Sequence, residues 1–163
     1  AMTDALTGLR NRRAMDLLLK ELTEGGGQFA LMHVDLDYFK AVNDTYGHAA
    51  GDLVLETVAK VLAEETRDAD HVARVGGDEF VVVFEDFMEL DQLGQVANRI
   101  IKGLEQPVEY EGQTCHVSAS IGVTLSSFYE QPKPDRMLGD ADAALYQSKS
   151  NGRNQVSVAK LNV

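Results

Sequence analysis

"RVGGDEFVVVF", residues 74–84, sets two glycines and two carboxylates between a short apolar stretch and a run of valines. Together with the "HVARV" that overlaps its start, the segment reads as a β-hairpin turning at Gly76 and Gly77. A hairpin needs the glycines. It does not need Asp78 and Glu79 side by side where its second strand begins, because adjacent negative charges there repel each other. The pair asks for a positive partner.

The segments around the hairpin indicate the fold. "RNRRAMDLLLKELTE" carries Met15, Leu18, Leu19 and Leu22 at helical spacing. "FALMHVDLD" is a buried strand, apolar until Asp35, and "YFKAVNDTY" is a short helix after it. "DLVLETVAKVLAEETRD" is a longer amphipathic helix with Leu55, Val58, Ala59 and Leu62 aligned. Beyond the hairpin, "DQLGQVANRIIKGLEQ" reads as a helix despite Gly94, and "PVEYEGQTCHVSASIGVTLS" as strands joined by a turn at Gly112. "DRMLGDADAALYQSKSNGRN" is a last helix closing at Gly152, and "QVSVA" a final strand. This β-α-α-β-β-α-β-α-β order, with one extra hairpin, predicts an α+β fold: a mostly antiparallel sheet flanked by helices. Its core order resembles the ferredoxin-like split βαβ with one more helix.

The chain has 163 residues, which suits one compact domain spanning 1–163. No apolar run reaches the roughly 18 residues of a membrane helix, so no membrane contact is expected of this segment. Cys115 is the only cysteine, which excludes an internal disulfide and a cysteine-built metal site, and leans towards a reducing compartment such as the cytoplasm. The formal charge of −11 argues against DNA as a partner, since a nucleic-acid backbone wants a basic face. A free nucleotide stays possible, because a metal ion and a few placed cations reverse the sign locally.

In a split βαβ sheet the first strand and the hairpin are neighbours, so Asp35 and Asp37 at the strand's end can meet Asp78 and Glu79. Crowded carboxylates raise one another's pKa values, and a Mg²⁺ ion, which takes carboxylate and phosphate oxygens, would remove the conflict. The plainer alternative makes Asp37 a helix-start residue and "GGDE" only a turn. Lys40 follows on a short helix whose start aims N–H groups at any nearby phosphate. Lys149 and Arg153 close the last helix; taken alone they are favourable charges at a helix C-terminus. Taken together, these groups point to a nucleoside triphosphate with a metal ion.

"DALTGLRNRR" (4–13), "DLDYFKAVNDTYGHAAGD" (35–52), "RVGGDEF" (74–80) and "YQSKSNGRN" (146–154) stand in the order and spacing of GGDEF domains, and the chain resembles that family, the diguanylate cyclases, from Asp4 to about Val158. The resemblance implies condensation of two GTP into cyclic di-GMP with release of two pyrophosphates, and a palm-like nucleotide-cyclase fold. Each domain would hold one GTP with Mg²⁺ or Mn²⁺, two ions per half-site, and would meet a second copy of itself face to face.

By position, the resemblance makes Asp35 and Glu79 metal ligands, helped by the Leu36 carbonyl, and leaves Asp78 two roles: sharing the metal or helping to deprotonate the attacking hydroxyl. Gly76 and Gly77 would let the backbone approach the nucleotide. Phe39, Lys40, Lys149 and Arg153 match phosphate-contacting positions. Asn43 and Asp52 match the readers of guanine, whose N1–H and amino group a carboxylate accepts and adenine cannot supply. Asp52 also reads as a helix N-terminal charge. His48 and Asp37 stay outside the site.

"RDAD", with Arg67 and Asp70, lies at the spacing of the family's inhibitory product site, with Arg99 as a weaker third member. Without the resemblance it reads as a solvated helix end. The implied partners are thus GTP, cyclic di-GMP and a transient second copy. The chain reads as a catalytic domain cut from a longer sensor protein, which could be anchored to a membrane through an upstream segment. Two rival readings are a non-catalytic cyclic di-GMP receptor and a cyclase making a mixed GMP–AMP product. Retention of Asp35, Asp78 and Glu79 speaks against the first, and Asp52 against the second.

Overall fold

A computed structural model describes residues 1–86 and 89–160. In chain order these form α1 (Arg12–Gly25), β1 (Phe29–Asp37), α2 (Phe39–Tyr46), α3 (His48–Glu64), β2 (His71–Arg74), β3 (Glu79–Glu85), α4 (Leu90–Leu104), β4 (Val108–Tyr110), β5 (Gln113–Cys115), β6 (Ser118–Leu125), α5 (Pro134–Ser150) and β7 (Val156–Val158). None of the described helices is long and apolar enough to cross a membrane.

The main sheet has the order β2-β3-β1-β6-β7. Every pairing is antiparallel except the edge pair β6–β7. The first four strands give the expected split βαβ arrangement, with β3 inserted between β1 and β2. β4 and β5 form a separate two-stranded sheet among the described residues, and are the extra hairpin.

Strand β1 lies between β3 and β6 and is covered on both faces, which is why "FALMHVDLD" is nearly continuous in its apolar character. One face carries Ala30, Met32, Val34 and Leu36 against α3 and α4, through Val54, Val58, Leu62, Leu93, Ile100 and others. The opposite face carries Phe29 and Leu31 against Met15 and Leu19 of α1 and Met137 and Ala141 of α5. Alternation along β1 puts His33, Asp35 and Asp37 on this second face, towards its end.

Helix α5 approaches the sheet through Gly122 of β6, the register partner of His33. A Cβ at Gly122 would fall 2.1 Å from the Ala141 carbonyl oxygen and 2.3 Å from the Leu145 nitrogen. Helix backbone therefore occupies the volume of the missing side chain. This contact sets the height of α5 over β1, and with it the position of Lys149.

Several boundaries differ from the sequence reading. The Asn11 side chain caps α1 by accepting from the Ala14 N–H at 3.0 Å, so the helix starts two residues later than the "RNRR" run. Helix α3 starts at His48, four residues before Asp52, because Gly47 at φ 92° lets the chain turn there directly from α2. Helix α5 ends at Ser150, which leaves Arg153 beyond it in the left-handed region, at φ 66°.

Candidate active site

Asp35 and Glu79 are register partners across β1 and β3, so their side chains leave the same face of the sheet side by side. The Leu36 N–H donates to the Asp78 carbonyl at 3.1 Å and brings the hairpin turn onto the end of β1. The turn is held from outside by Arg74, whose guanidinium donates to the Gly77 carbonyl at 3.1 and 2.9 Å and meets Asp4 at 3.2 Å. Asp4 in turn accepts from the Thr7 N–H and hydroxyl at 2.9 and 2.7 Å, so the N-terminal turn braces the hairpin.

Gly76 has a local reason of its own. A Cβ there would lie 2.6 Å from Glu79 Oε2, so the carboxylate folds back over the glycine. Gly77 has open space where a side chain would stand.

Lys149, in the last turn of α5, places Nζ 3.5 Å from Asp35 Oδ2 and 3.6 Å from Asp37 Oδ1. Burial pushes the Asp35 carboxyl up to about 6, with repulsion from Asp78 and Glu79 adding to it and Lys149 only partly opposing it. Asp78 is raised as well, by burial and by Glu79. Negative charge therefore exceeds positive at this corner of the sheet.

Asp37 corrects the expectation of a helix-start residue. Tyr38, at φ 65°, occupies the cap position of α2, and no side chain caps that helix. The Asp37 side chain is fully buried. It accepts from Ser118 Oγ and Ser120 Oγ at 2.7 Å each, and from the Asn154 N–H at 3.1 Å. Ser118 is its register partner on β6. Arg153 Nε lies 3.9 Å from the same carboxylate. Arg153 and Asn154 both have positive φ, 66° and 52°, a costly conformation for non-glycine residues that these bonds hold in place. Asp37 is thus the anchor of the loop that carries Arg153.

The remaining phosphate candidates, Phe39 and Lys40, lie on α2, and the guanine candidates Asn43 and Asp52 on α2 and α3. Lys40 is largely exposed and pairs with Asp44 at 2.8 Å, one helical turn on. Asn43 and Phe39 press against the start of α3, where a Cβ at Gly51 would meet Asn43 Oδ1 and lie 3.3 Å from Phe39 Cζ. Asp52, the next residue, is exposed on α3. The fold therefore gathers Asp35, Asp78, Glu79 and Lys149 at one corner, with Arg153 beside them, while Lys40 turns to solvent.

The chain matches the family described as "Diguanylate cyclase, GGDEF domain" over residues 1–155. It belongs to the GGDEF family. It is 40% identical to Diguanylate cyclase A of Treponema denticola over 99% of this chain and 45% of that protein. It is 41% identical to the Response regulator PleD of Caulobacter vibrioides over 96% of this chain and 36% of that protein. The chain thus spans less than half the length of these relatives. The solved GGDEF domain of DgcB from Caulobacter crescentus, in complex with c-di-GMP, superposes with a TM-score of 0.89 at 32% identity, covering 97% of this chain and 95% of that one.

Elsewhere on this GGDEF domain, Arg67, Asp70 and Arg99 line one cavity of about 360 Å³ between the end of α3 and α4. Arg67 donates to Asp70 through its N–H at 2.7 Å and through its guanidinium at 2.8 Å, and to the Glu85 carbonyl at 2.7 Å. Arg99 Nε donates to Glu65 at 2.9 Å.

Sequence reasoning missed the roles of two residues on this face of the sheet. Asp37 is one. His33 is the other, a buried imidazole between Glu79 and Asp142. Its signal was present: the only polar residue of β1 before Asp35, two positions ahead of it and therefore on the same face.

Proposed function

We propose that this GGDEF domain is the catalytic part of a longer protein and acts as a diguanylate cyclase, joining its own GTP to one held by a second copy and releasing cyclic di-GMP and two pyrophosphates. The observation that carries this reading is the Asp35, Asp78 and Glu79 carboxylates gathered at the end of β1 with Lys149 as their partial counter-charge. Such a group of hard oxygen donors, with Asp35 pushed up to about 6 by burial and by repulsion from Asp78 and Glu79, fits divalent cations. Asp35, Glu79 and the Leu36 carbonyl would hold Mg²⁺ or Mn²⁺, two ions per half-site, with Asp78 beside them. When bound, the ions supply Lewis-acid polarisation of the phosphoryl oxygens and of the attacking hydroxyl.

The chain's own groups do the rest. Lys149, braced by Asp35 and Asp37, presents its ammonium to phosphate oxygens, and Arg153 adds a second cation from the anchored loop. Phe39 and Lys40 serve the phosphates from the start of α2. Asp52 accepts the N1–H and amino group of guanine, with Asn43 beside it, and rejects adenine, which would leave the carboxylate unpaired. Gly77 leaves the turn open for the nucleotide. Each copy contributes half of the reaction centre.

The test is incubation of the domain with GTP and Mg²⁺, products being resolved by chromatography. Cyclic di-GMP should form, at a rate per domain that rises with protein concentration, because the two half-sites must meet. Binding of cyclic di-GMP without any synthesis would make the chain a receptor instead.

Metal dependence has a pH signature. A folded-state carboxyl raised above its unfolded value costs stability when ionised, so Asp35 weakens the fold above about pH 6 and stops doing so as it takes up a proton towards 3.8. Mg²⁺ should relieve the same repulsion. It is expected to raise the melting temperature by about 2–4 °C near pH 7.5, and by much less near pH 5, where the proton already occupies the site. Equal shifts at both pH values would remove Asp35 from the metal site.

The cavity with Arg67, Asp70 and Arg99 supports inhibition by the product. A guanidinium can bond guanine O6 and N7 together, and Arg67 already has its fork held in place by Asp70. Arg67→Ala should raise the concentration of cyclic di-GMP needed for half-inhibition by about 10- to 100-fold, each protein being referred to its own uninhibited rate. Equal binding of cyclic di-GMP by parent and variant in calorimetry would return "RDAD" to a solvated helix end.

A further inference from the structure

His33 is out of place in the core of this sheet. The residue is only 8% exposed, and both of its ring nitrogens are buried without a hydrogen-bond partner. Nε2 lies 3.2 Å from Glu79 Oε1, and Nδ1 lies 3.5 Å from Asp142 Oδ1 on α5, but neither approach has the geometry of a hydrogen bond. A polar group left unpartnered at that depth weakens the fold. Burial also holds the imidazole below its ordinary pKa, which favours the neutral ring with a lone pair to offer.

One ring nitrogen of His33 and one oxygen each from Glu79 and Asp142 lie within 4.8 Å of one another. These three residues, with Asp16 of α1, line a cavity of about 320 Å³ beneath the hairpin, which leaves room for water as a further ligand. Among the described residues Arg12 is the one cation lining it, and its Nε donates to the Val75 carbonyl at 3.1 Å. The net charge of the lining is therefore negative.

We propose that His33, Glu79 and Asp142 form a site for a transition-metal ion of the Zn²⁺ or Co²⁺ type, adjacent to the all-oxygen cluster and sharing Glu79 with it. An imidazole nitrogen with two carboxylates suits zinc or cobalt, and Mg²⁺, which holds to oxygen and water, does not take it. The 3.2 Å between Nε2 and Glu79 Oε1 is close to the spacing of two donors on a tetrahedral ion with bonds of about 2.0–2.1 Å. Asp142, whose side chain is two-thirds exposed, has room to turn towards the ion, and it serves the site equally as acceptor of the Nδ1–H that fixes the tautomer.

Sharing Glu79 has a consequence, which rests on the cyclase reading given above. A carboxylate turned to an ion on the His33 side is withdrawn from Asp35. Zinc bound there inhibits synthesis, and because Zn²⁺ and the Mg²⁺–GTP complex draw on the same carboxylate, raising Mg²⁺ and GTP together opposes it.

The test reads binding separately from synthesis. Co²⁺ is titrated into the domain in excess Mg²⁺ and followed by its visible absorption, and Zn²⁺ is then used to displace it. The parent should take up one Co²⁺, which excess Mg²⁺ weakens through the shared Glu79 but does not remove, because Mg²⁺ does not take the imidazole. His33→Leu and Asp142→Asn should each weaken this by about 10- to 100-fold. Asp142→Asn, at an exposed position on α5, keeps the test readable if the core substitution impairs folding. Zinc inhibition, taken as a ratio to each protein's own zinc-free rate, should fall in the same two variants. Parent-like Co²⁺ binding by both variants would overturn the site, since the ion would then lie on the oxygen cluster or on another histidine. Absence of synthesis in every protein would count against the cyclase reading alone and leave the binding result intact.

Discussion

Glu79→Gln is expected to abolish cyclic di-GMP synthesis, with a fall of at least about 100-fold, the scale on which loss of one electrostatic contact to a reacting phosphate is felt. The substitution keeps the shape of the side chain and removes the charge. Glu79 is placed for this role by its pairing with Asp35 across the central strands and by the room that Gly76 leaves for its carboxylate. The fold should not suffer, because the ion-pair partner of Glu79 among the described residues is His33, whose burial favours the neutral ring. Circular dichroism and the melting temperature should stay near those of the parent, while chromatography of a GTP incubation shows no product. Undiminished synthesis would falsify the assignment of Glu79 to the metal, and would shift the duty to Asp35 and Asp78.

Gly122→Ala should produce the largest loss of stability. The added Cβ would stand 2.1 Å from a helix carbonyl oxygen and 2.3 Å from a helix nitrogen, and backbone cannot swing aside as a side chain can. The helix α5 must lift from the sheet, giving up contacts made by Met137, Ala141 and Leu145. Overpacking of this kind costs about 3 kcal/mol or more, which corresponds to a melting temperature lowered by about 6–12 °C in a chain of this size. Gly139→Ala is the control. It lies on the same helix with nothing within 4 Å of the added Cβ, and it should leave stability unchanged or raise it by up to about 1 kcal/mol. Loss in both variants would mean that α5 is sensitive to any substitution, and that the close approach at Gly122 has no special weight. The same lift would draw Lys149 away from Asp35, so residual synthesis in Gly122→Ala should be lower than its folded fraction predicts.

Much of the site could be read from the chain because it is built from short motifs at element ends. The double glycine announces a turn, and the carboxylates after it start β3. Asp35 ends an apolar run, so the ends of β1 and of the hairpin were expected to meet, and their register pairing is that meeting. Lys149 could be read in the same way, as a charge in the last turn of a helix that packs on the sheet. Arg153 was harder, since the motif reads as a continuing helix and nothing local announces two successive non-glycine residues at positive φ.

Element types, their order, the hairpin and the carboxylates at the strand ends were determined by the sequence itself, because each depends on periodicity and turn chemistry within about a dozen residues. Tertiary structure decided the rest. Asp37 looked like a helix cap and became a buried anchor, because its partners Ser118, Ser120 and Asn154 stand 81 to 117 residues away along the chain. His33 drew no reading in a strand taken as apolar until Asp35, and only the approach of α5 brought Asp142 to it. That approach depends on Gly122, an ordinary residue in the local pattern, whose missing side chain is filled by a helix arriving from elsewhere in the sequence. A local pattern records which face a residue turns to the core. Which group meets it there is set by packing, and packing is a property of the whole chain.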